Sequence, residues 1–171
     1  VEEVNSVSNI TSHMMDVLRS MLTRLRPAEV DDFGLTTSLK KLVNSWNNRT
    51  HGETQYQLNI TGDIENLPEP LPVNIYRMVQ ECLTNIAKHA QASTAEVTIS
   101  HKDKHTLELI IKDDGTAETN ALETTMGVGL LGIRERVSAL GGKLDIQSSQ
   151  AEGVTVSIFL PVQTSEILKN D

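Results

Sequence analysis

"IYRMVQECLTNIAKHAQAS", residues 75–93, has the spacing of a helix with one apolar face. Apolar residues recur three and four positions apart, the period of a helix that packs on a core; they are Ile75, Met78, Val79, Cys82, Leu83, Ile86 and Ala90. At about 100° per residue, Glu81, Asn85 and Lys88 form a second stripe, and His89 lies between it and the apolar edge. A charged stripe is usually a solvated face with ordinary i,i+4 pairs. Its meaning therefore depends on the rest of the chain.

Downstream of this helix, the pattern changes to alternation. "AEVTISHK" (95–102) and "HTLELIIKDDG" (105–115) predict two strands, and "KLDIQSSQAEGVTVSIFLPV" (143–162) predicts two more around a turn at 150–153. "GVGLLGIRERVSALGG" (127–142) is typical of a helix that begins with Gly and ends at a Gly pair. The chain therefore combines helices with an antiparallel sheet, one face of which the helices would cover. The predicted fold class is therefore α/β, a two-layer α/β sandwich.

Upstream, "TTSLKKLVNSWNNR" (36–49) predicts a helix and "TQYQLNI" (54–60) a strand. "RPAEVDDFGL" (26–35) breaks the preceding pattern at Pro27. Residues 1–25 approximate a heptad seam, which favours pairing with another helix, although an ordinary packing helix fits equally well. The expected inner face of the second helix is Leu39, Leu42, Val43 and Trp46. Because the sequence begins without Met inside a helix pattern, we expect it to be part of a longer protein.

Composition excludes several classes of function. The 171 residues suffice for one domain with an appended helical element. A net charge of −8 argues against a general nucleic-acid surface, because phosphate backbones need clustered Lys and Arg. One Cys excludes an internal disulfide, and its place on the apolar face predicts a buried thiol. No apolar run approaches the roughly 18 residues of a membrane span.

Two further motifs are weak when taken singly. In "IIKDDGTA" (110–117), an apolar strand ends in Asp113-Asp114-Gly115, and a buried carboxylate there could accept a hydrogen bond from an exocyclic amine such as that of adenine, but an Asp-Gly turn is very common. In "MGVGLLGIRER" (126–136), glycines at a helix start suit an anion, because free N–H groups and the helix dipole favour negative charge there. A Gly-rich loop is the simpler alternative. The spacing matches neither a P-loop nor a G-x-G-x-x-G fingerprint.

In combination the motifs are more specific. Asn85 and Glu81 offer oxygens suited to Mg²⁺ and its water, Asp113 offers a base-reading carboxylate, and the Gly-led helix offers amides for phosphate. Between the last two lies an aperiodic polar stretch of about a dozen residues, long enough to close over a ligand. The combination of these motifs, and their order along the chain, predict a nucleotide-binding site.

These motifs carry a family resemblance. "QECLTNIAKHA", "DDGTA" and "GVGLLGIRERVSALGG" resemble the N, first glycine and second glycine boxes of the GHKL ATPase superfamily. More narrowly, together with "LRPAEVDDFGL" and "YRMVQE", they resemble the catalytic region of two-component sensor histidine kinases of the nitrate-sensor and hexose-phosphate-sensor subfamily. The resemblance implies a Bergerat α/β sandwich with an N-terminal helix from a dimerisation hairpin. It divides the chain into the second hairpin helix (1–26), a linker with the first helix of the ATP-binding region (27–50), the catalytic domain (51–162) and a tail (163–171).

The same resemblance implies roles for individual residues. Asn85 would bind Mg²⁺, Glu81 would hold or activate solvent near the metal, and Lys88 and His89 would face the phosphates. Asp113 would take the adenine amino group, with Gly115 making room for the ring. The second glycine box would supply the hinge of a lid, at Gly127 and Gly129, and phosphate-binding amides, at Gly129, Leu130 and Gly132.

Two positions depart from the family pattern. Ala117 stands where the first glycine box usually has its second Gly, and Ala there costs roughly 1 kcal/mol if the site requires positive φ or close approach. The family's phosphoacceptor His is followed by an acidic residue, whereas His13 is followed by Met14 and Met15. We therefore expect His13 to be a bystander and the acceptor to lie upstream of Val1.

The expected function is that of a protein-histidine kinase, a transferase of a two-component phosphorelay. It would pass the ATP γ-phosphate to a His outside this chain, for relay to a response regulator. Expected partners are ATP, the cognate response regulator and a second copy of the full-length protein, with no nucleic acid and no membrane contact by this part. The expected location is the cytoplasmic part of an inner-membrane bacterial sensor. Alternatives are a regulatory nucleotide-binding or dimerisation module with little or no kinase activity, and another GHKL ATPase, against which the heptad-like helix argues.

Overall fold

A computed structural model describes residues 28–50, 52–101, 103, 105–116, 127–149 and 152–162. Within them, one mixed sheet has the strand order β1-β2-β3-β5-β4. β1 runs parallel to β2, and every other neighbouring pair is antiparallel. The strands are β1 (Gln55–Gly62), β2 (Thr94–His101), β3 (Thr106–Asp113), β4 (Lys143–Ser149) and β5 (Gly153–Pro161). The predicted antiparallel C-terminal sheet is confirmed, while the parallel pairing of β1 had no local signal in the sequence.

The helices pack on one face of this sheet. They are α1 (Ala28–Phe33), α2 (Leu35–Arg49), α3 (Leu71–Asn85) and α4 (Gly127–Ala139). The apolar residues that predicted α3 are all buried, with exposed fractions from 0 to 8%. On the sheet side, alternate residues of β3 point into the same core, including Leu107, Leu109 and Ile111. Helices and strands therefore share one hydrophobic cluster, and the two-layer α/β sandwich is confirmed.

The structure corrects two local expectations. The break predicted at Pro27 is followed at once by the short helix α1, because Pro is also favourable beside a first helical turn. The single regular helix predicted over residues 75–93 ends as α-helix at Asn85 and continues as a five-residue π-helical turn, Ile86–Ala90. Gln91 then adopts a left-handed conformation with φ 50°. A π turn holds more residues per turn than an α-helix, so Lys88 and His89 leave the stripe that 100° spacing predicts.

Long-range hydrogen bonds attach α2 to the sheet. At its start, the backbone N–H groups of Leu35 and Thr36 donate to the Glu65 carboxylate, at 3.2 and 2.9 Å. Toward its end, the Asn47 side chain accepts from the Tyr56 N–H at 2.8 Å and donates to the Tyr56 carbonyl at 3.0 Å. The helix thus has a cap from a distant loop and a clamp on edge strand β1.

Some expectations concern residues outside those described. The heptad-like stretch 1–25, Ala117, the polar segment up to residue 126 and the tail 163–171 belong to this group. In the parts of the chain that are described, the longest and most apolar helices still fall short of what a membrane crossing requires.

Candidate functional site

The polar stripe of α3 meets the Gly-led helix α4. Glu81 and Asn85 are partly exposed at the last turn of α3. Gly129 of α4 lies so close to Glu81 that a Cβ at position 129 would overlap Glu81 Oε1. Only Gly permits this approach, because any other residue would push the carboxylate away. Glu81, the first residue of the stripe, therefore faces α4 and is not simply part of a solvated surface.

The carboxylate that ends β3 is buried on the core side of the sheet. Asp113 is 5% exposed and stands in register with Ala95 of β2, which in turn pairs with Tyr56 of β1. Its Oδ1 accepts hydrogen bonds from the N–H of Gly115 at 2.9 Å and of Val154 at 3.4 Å. Burial raises the pKa of Asp113, since desolvation disfavours the charged form. Both of these hydrogen bonds fall on Oδ1, so among the described residues Oδ2 is the oxygen left for a ligand.

The strand end after Asp113 closes on the C-terminal end of α3. The N–H of Thr116 donates to the Ala90 carbonyl at 2.8 Å. A Cβ at Gly115 would overlap that same carbonyl oxygen, so the chain can pass here only as Gly. This contact places the Asp113 turn beside the π-helical turn of the candidate stripe.

A buried thiol lies on the core face of α3. Cys82 is 4% exposed, which confirms the prediction of a buried thiol. Burial, and then the charges of Glu81 and Asp113, raise the pKa of Cys82 to about 12. The thiol therefore stays protonated and serves as packing in the core.

The glycines of α4 differ in what their amides can do. Gly127 and Gly129 lie in the first turn, where N–H groups have no partner within the helix. Leu130 follows them, and its side chain is buried. Gly132 lies in the second turn, where each N–H bonds to a carbonyl four residues earlier. The first turn is thus better suited than Gly132 to bind an anion.

The remaining residues of the stripe are less tightly held. Lys88 and His89 are exposed on the π-helical turn. Among the described residues, no hydrogen bond or ion pair joins them to Asp113 or to α4. The Asn85 amide likewise makes no side-chain hydrogen bond within the described ranges, so its oxygen is available. The roles of all these residues remain predictions.

The sequence pattern of the strand end did not by itself distinguish the roles of Asp113 and Asp114. Asp114 is exposed, and its carboxylate accepts from the Ser93 and Thr94 N–H groups, each at 2.8 Å, and from the Thr94 hydroxyl at 2.9 Å. These hydrogen bonds, led by the backbone of Thr94, lower the pKa of Asp114. Asp114 therefore pins the start of β2, while Asp113 points inward. The signal was present, because neighbouring residues of a strand face opposite sides.

Comparisons with known proteins agree with this geometry. Residues 71–164 match the family described as histidine kinase-, DNA gyrase B- and HSP90-like ATPase. The chain is 31% identical over 166 residues to the signal transduction histidine-protein kinase/phosphatase DegS of Brevibacillus brevis, covering 97% of this chain and 42% of that protein. It is 36% identical over 155 residues to the histidine-protein kinase/phosphatase UhpB of Salmonella typhimurium, covering 91% of this chain and 30% of that protein. The chain thus spans well under half the length of these relatives.

A solved structure gives the same fold. The histidine kinase domain of the Erythrobacter litoralis EL346 blue-light activated histidine kinase superposes with a TM-score of 0.59 at 23% identity, over 75% of this chain and 65% of that chain. The matched residues include α3, Asp113 and α4, the three elements that meet in the site. The chain therefore belongs to the histidine kinase-, DNA gyrase B- and HSP90-like ATPase family, and its fold is that of the ATP-binding catalytic region of sensor histidine kinases.

Proposed function

We propose that this chain binds Mg²⁺-ATP at the meeting point of α3, the β3 end and α4, and that within a longer sensor kinase it delivers the γ-phosphate to a His of the dimerisation hairpin. The observation that carries the proposal is the contact of Gly129 with Glu81, because it sets a polar helix face against the amide-bearing start of α4. A site of this kind works mainly by positioning and by charge neutralisation.

Asp113 is the proposed reader of the base. Its Oδ1 is occupied by two backbone N–H groups, and these fix the plane of the carboxylate. Oδ2 would then accept a hydrogen bond from the exocyclic amine of adenine. Gly115, held against the Ala90 carbonyl, would leave room for the flat ring. A keto group at that position of the base would meet a carboxylate oxygen instead of donating to it, so guanine would be rejected.

The donor set at the end of α3 fits Mg²⁺. This ion prefers oxygen ligands and usually combines one or two protein ligands with phosphate oxygens and water. Asn85 offers a partly exposed amide oxygen that is not engaged with any described residue. When bound, Mg²⁺ would supply charge neutralisation between the phosphates. Glu81, held by its contact with Gly129, would orient solvent beside it.

The remaining residues would hold the phosphates. The first-turn amides at Gly127 and Gly129, continuing to Leu130 and the backbone near Gly132, would face the anion at the positive end of the α4 dipole. Gly127 and Gly129 would also act as the hinge of a lid. Lys88 and His89, exposed on the turn opposite, would add positive charge or hydrogen bonds to the outer phosphates.

Other parts of the proposal concern the longer protein. Residues 1–26 would be the second helix of the hairpin, residues 27–50 the linker and first helix of the ATP-binding region, residues 51–162 the catalytic domain and residues 163–171 a tail. The full-length protein would be a homodimer in the inner membrane, with this region in the cytoplasm. It would phosphorylate its own His and relay the phosphate to a response regulator.

Calorimetry on this chain tests the binding step. Titration with a non-hydrolysable ATP analogue in the presence of Mg²⁺ should give saturable binding, while the GTP analogue should bind at least about tenfold more weakly. Asp113→Ala should remove the preference for adenine. An absence of binding at millimolar nucleotide would refute the proposal and would favour a regulatory module without kinase activity.

A further inference from the structure

A groove lined mainly by α2 and α3 adjoins the candidate site and shares Glu81 with it. It has a volume of about 730 Å³ and is open to solvent along its length. Helix α1 contributes Glu29 at one end, and α4 contributes Arg136 on the side toward the candidate site. The groove is therefore bounded by every helix that the structure describes.

The charge of this groove is opposite to that of the protein. The whole chain carries a net charge of −8. Yet the described lining has four cationic side chains against the two acidic ones, Glu29 and Glu81; the cationic set is Lys41, Arg49, Arg77 and Arg136. A concentration of positive charge on an acidic protein attracts an anionic partner.

Two of the cations are close enough to affect each other. Burial, and then the positive charge of Arg136, lower the pKa of Arg77. The two guanidinium groups reach the groove from different helices, α3 and α4. Like charges brought together in this way lose their repulsion when an anion lies between them, and the planar fork of Arg matches a carboxylate.

The groove also has features suited to a peptide. Gln80 lines it, and because its Oε1 accepts from Arg77 at 2.8 Å, its amide N–H groups are the part that could donate to a peptide carbonyl. Trp46 lies in the same lining, with the Arg49 guanidinium 5.4 Å from its ring centroid. An open channel between helices admits the side chains of an extended segment, whereas small anions are usually held by backbone amides at a helix start.

We propose that the groove between α2 and α3 is a docking site for an acidic segment of a protein partner, whose carboxylates pair with Lys41, Arg49, Arg77 and Arg136. A segment bound there would contact Glu81, which faces Gly129 on its other side. It would also lie beside Glu29, which accepts the hydrogen bond of the Tyr76 hydroxyl at 2.8 Å. Docking would in this way reach both α1 and the proposed catalytic helix.

The chain provides its own probe for this proposal. Trp46 is the single Trp of the protein and lines the groove, so its fluorescence reports occupancy directly. A twelve-residue oligoglutamate peptide should change the Trp46 emission saturably at low salt, and 0.5 M salt should abolish the change because screening removes exposed ion pairs. A neutral Gly-Ser peptide of the same length should have no effect.

Charge reversal locates the binding surface. Lys41→Glu with Arg49→Glu should weaken oligoglutamate binding roughly tenfold or more. The matched control is Lys40→Glu with Lys112→Glu, which makes the same change in net charge at exposed positions outside the groove. Equal weakening in both double variants, or none in the groove variant, would overturn the proposal.

A titration with inorganic phosphate distinguishes a groove that binds a peptide from a site that binds small anions. If millimolar phosphate reproduces the Trp46 change and competes with the peptide, the groove is a small-anion site and the proposal fails. An absence of any response to oligoglutamate also refutes it. Calorimetry with the ATP analogue on the same preparations keeps this result distinct from the proposed function, because neither Lys41 nor Arg49 belongs to the nucleotide site.

Discussion

Gly129 and Glu81 touch across the gap between α4 and α3, and the space for a Cβ at position 129 is taken by the Glu81 carboxylate. The contact joins the helix that we propose binds the phosphates to the helix that we propose holds the metal. The contact explains the Gly at position 129, although Gly in a helix costs up to about 1 kcal/mol relative to Ala. Gly129 allows an approach of the two helices that a side chain would prevent.

Gly129→Ala should separate function from stability. Ala favours the helix, and the Glu81 side chain can swing away from the new methyl group, so the urea midpoint should stay the same or rise. The affinity for the Mg²⁺-bound ATP analogue should fall by about tenfold or more, because Glu81 is displaced. Gly132→Ala is the matched control, since its Cβ would meet only the mobile end of Arg136, at 2.9 Å. Equal losses in both variants would contradict the special role of the Gly129 contact.

Asp113→Asn should lower the affinity for nucleotide and should maintain or raise the stability of the fold. The pKa of Asp113 is raised in the folded state, so its contribution to stability is fully present below the unfolded pKa and is lost as pH rises through the folded value. At neutral pH the ionised carboxylate therefore costs stability, and Asn should remove that cost while still accepting from Gly115 and Val154. Urea denaturation at pH 7.5 should show an equal or higher midpoint, with the gain over the wild type shrinking toward pH 4. Nucleotide affinity should fall, and a variant less stable at both pH values would disprove this assignment.

Asn85→Ala should reveal whether the amide oxygen serves the metal. In the presence of Mg²⁺, we expect the variant to bind the ATP analogue more weakly than the wild type does. When EDTA removes Mg²⁺, the two proteins should bind the analogue about equally, because the substitution removes only the metal-dependent part of binding. Asn44→Ala, at an exposed position of α2, controls for the loss of an amide on a helix. In the longer sensor kinase that we propose, autophosphorylation should be abolished. Metal-independent loss of binding would assign Asn85 to the nucleotide itself.

Tyr76→Phe should loosen α1. The Tyr76 hydroxyl donates to Glu29 Oε2 at 2.8 Å, and its removal should cost about 1 kcal/mol in urea denaturation. Burial first, then the Glu29 carboxylate, raise the pKa of Tyr76 to about 12. The contribution should therefore be constant below pH 10, the ordinary value, and disappear as pH rises toward 12.

Tyr56→Phe supplies the comparison for Tyr76. Its hydroxyl is buried and makes no hydrogen bond of good geometry with a described residue, although the Thr54 side chain interacts with it. Removal of such a group should leave the free energy of unfolding within about 0.5 kcal/mol of the wild type, or raise it. If Tyr56→Phe costs as much as Tyr76→Phe, then the ring environment, and not the bond to Glu29, determines the loss.

Periodic patterns in the sequence were sufficient to predict the strands and α3. Alternation in β2 and β3, and the spacing of Ile75 through Ile86, are local consequences of which face is buried. The glycine boxes likewise placed Asp113 at a strand end and Gly127 at a helix start. These features could be predicted because each depends on residues close together in the chain.

Non-local contacts account for what the sequence did not predict. The π-helical turn at Ile86–Ala90 keeps apolar residues four apart, so its pattern resembles an α-helix. The pairing of β1 with β2 and the cap from Glu65 join residues about 30 or more positions apart, and no local rule indicates them. The cationic groove was hidden for the same reason, because Lys41, Arg77 and Arg136 come together only when three helices pack.

Both ends of α2 are held by hydrogen bonds to the edge strand β1 and the loop that follows it, at Tyr56 and at Glu65. A helix fixed at both ends transmits rotation and does not bend. A force that rotates α2 should therefore rotate β1 with it, so that the two elements move as one unit.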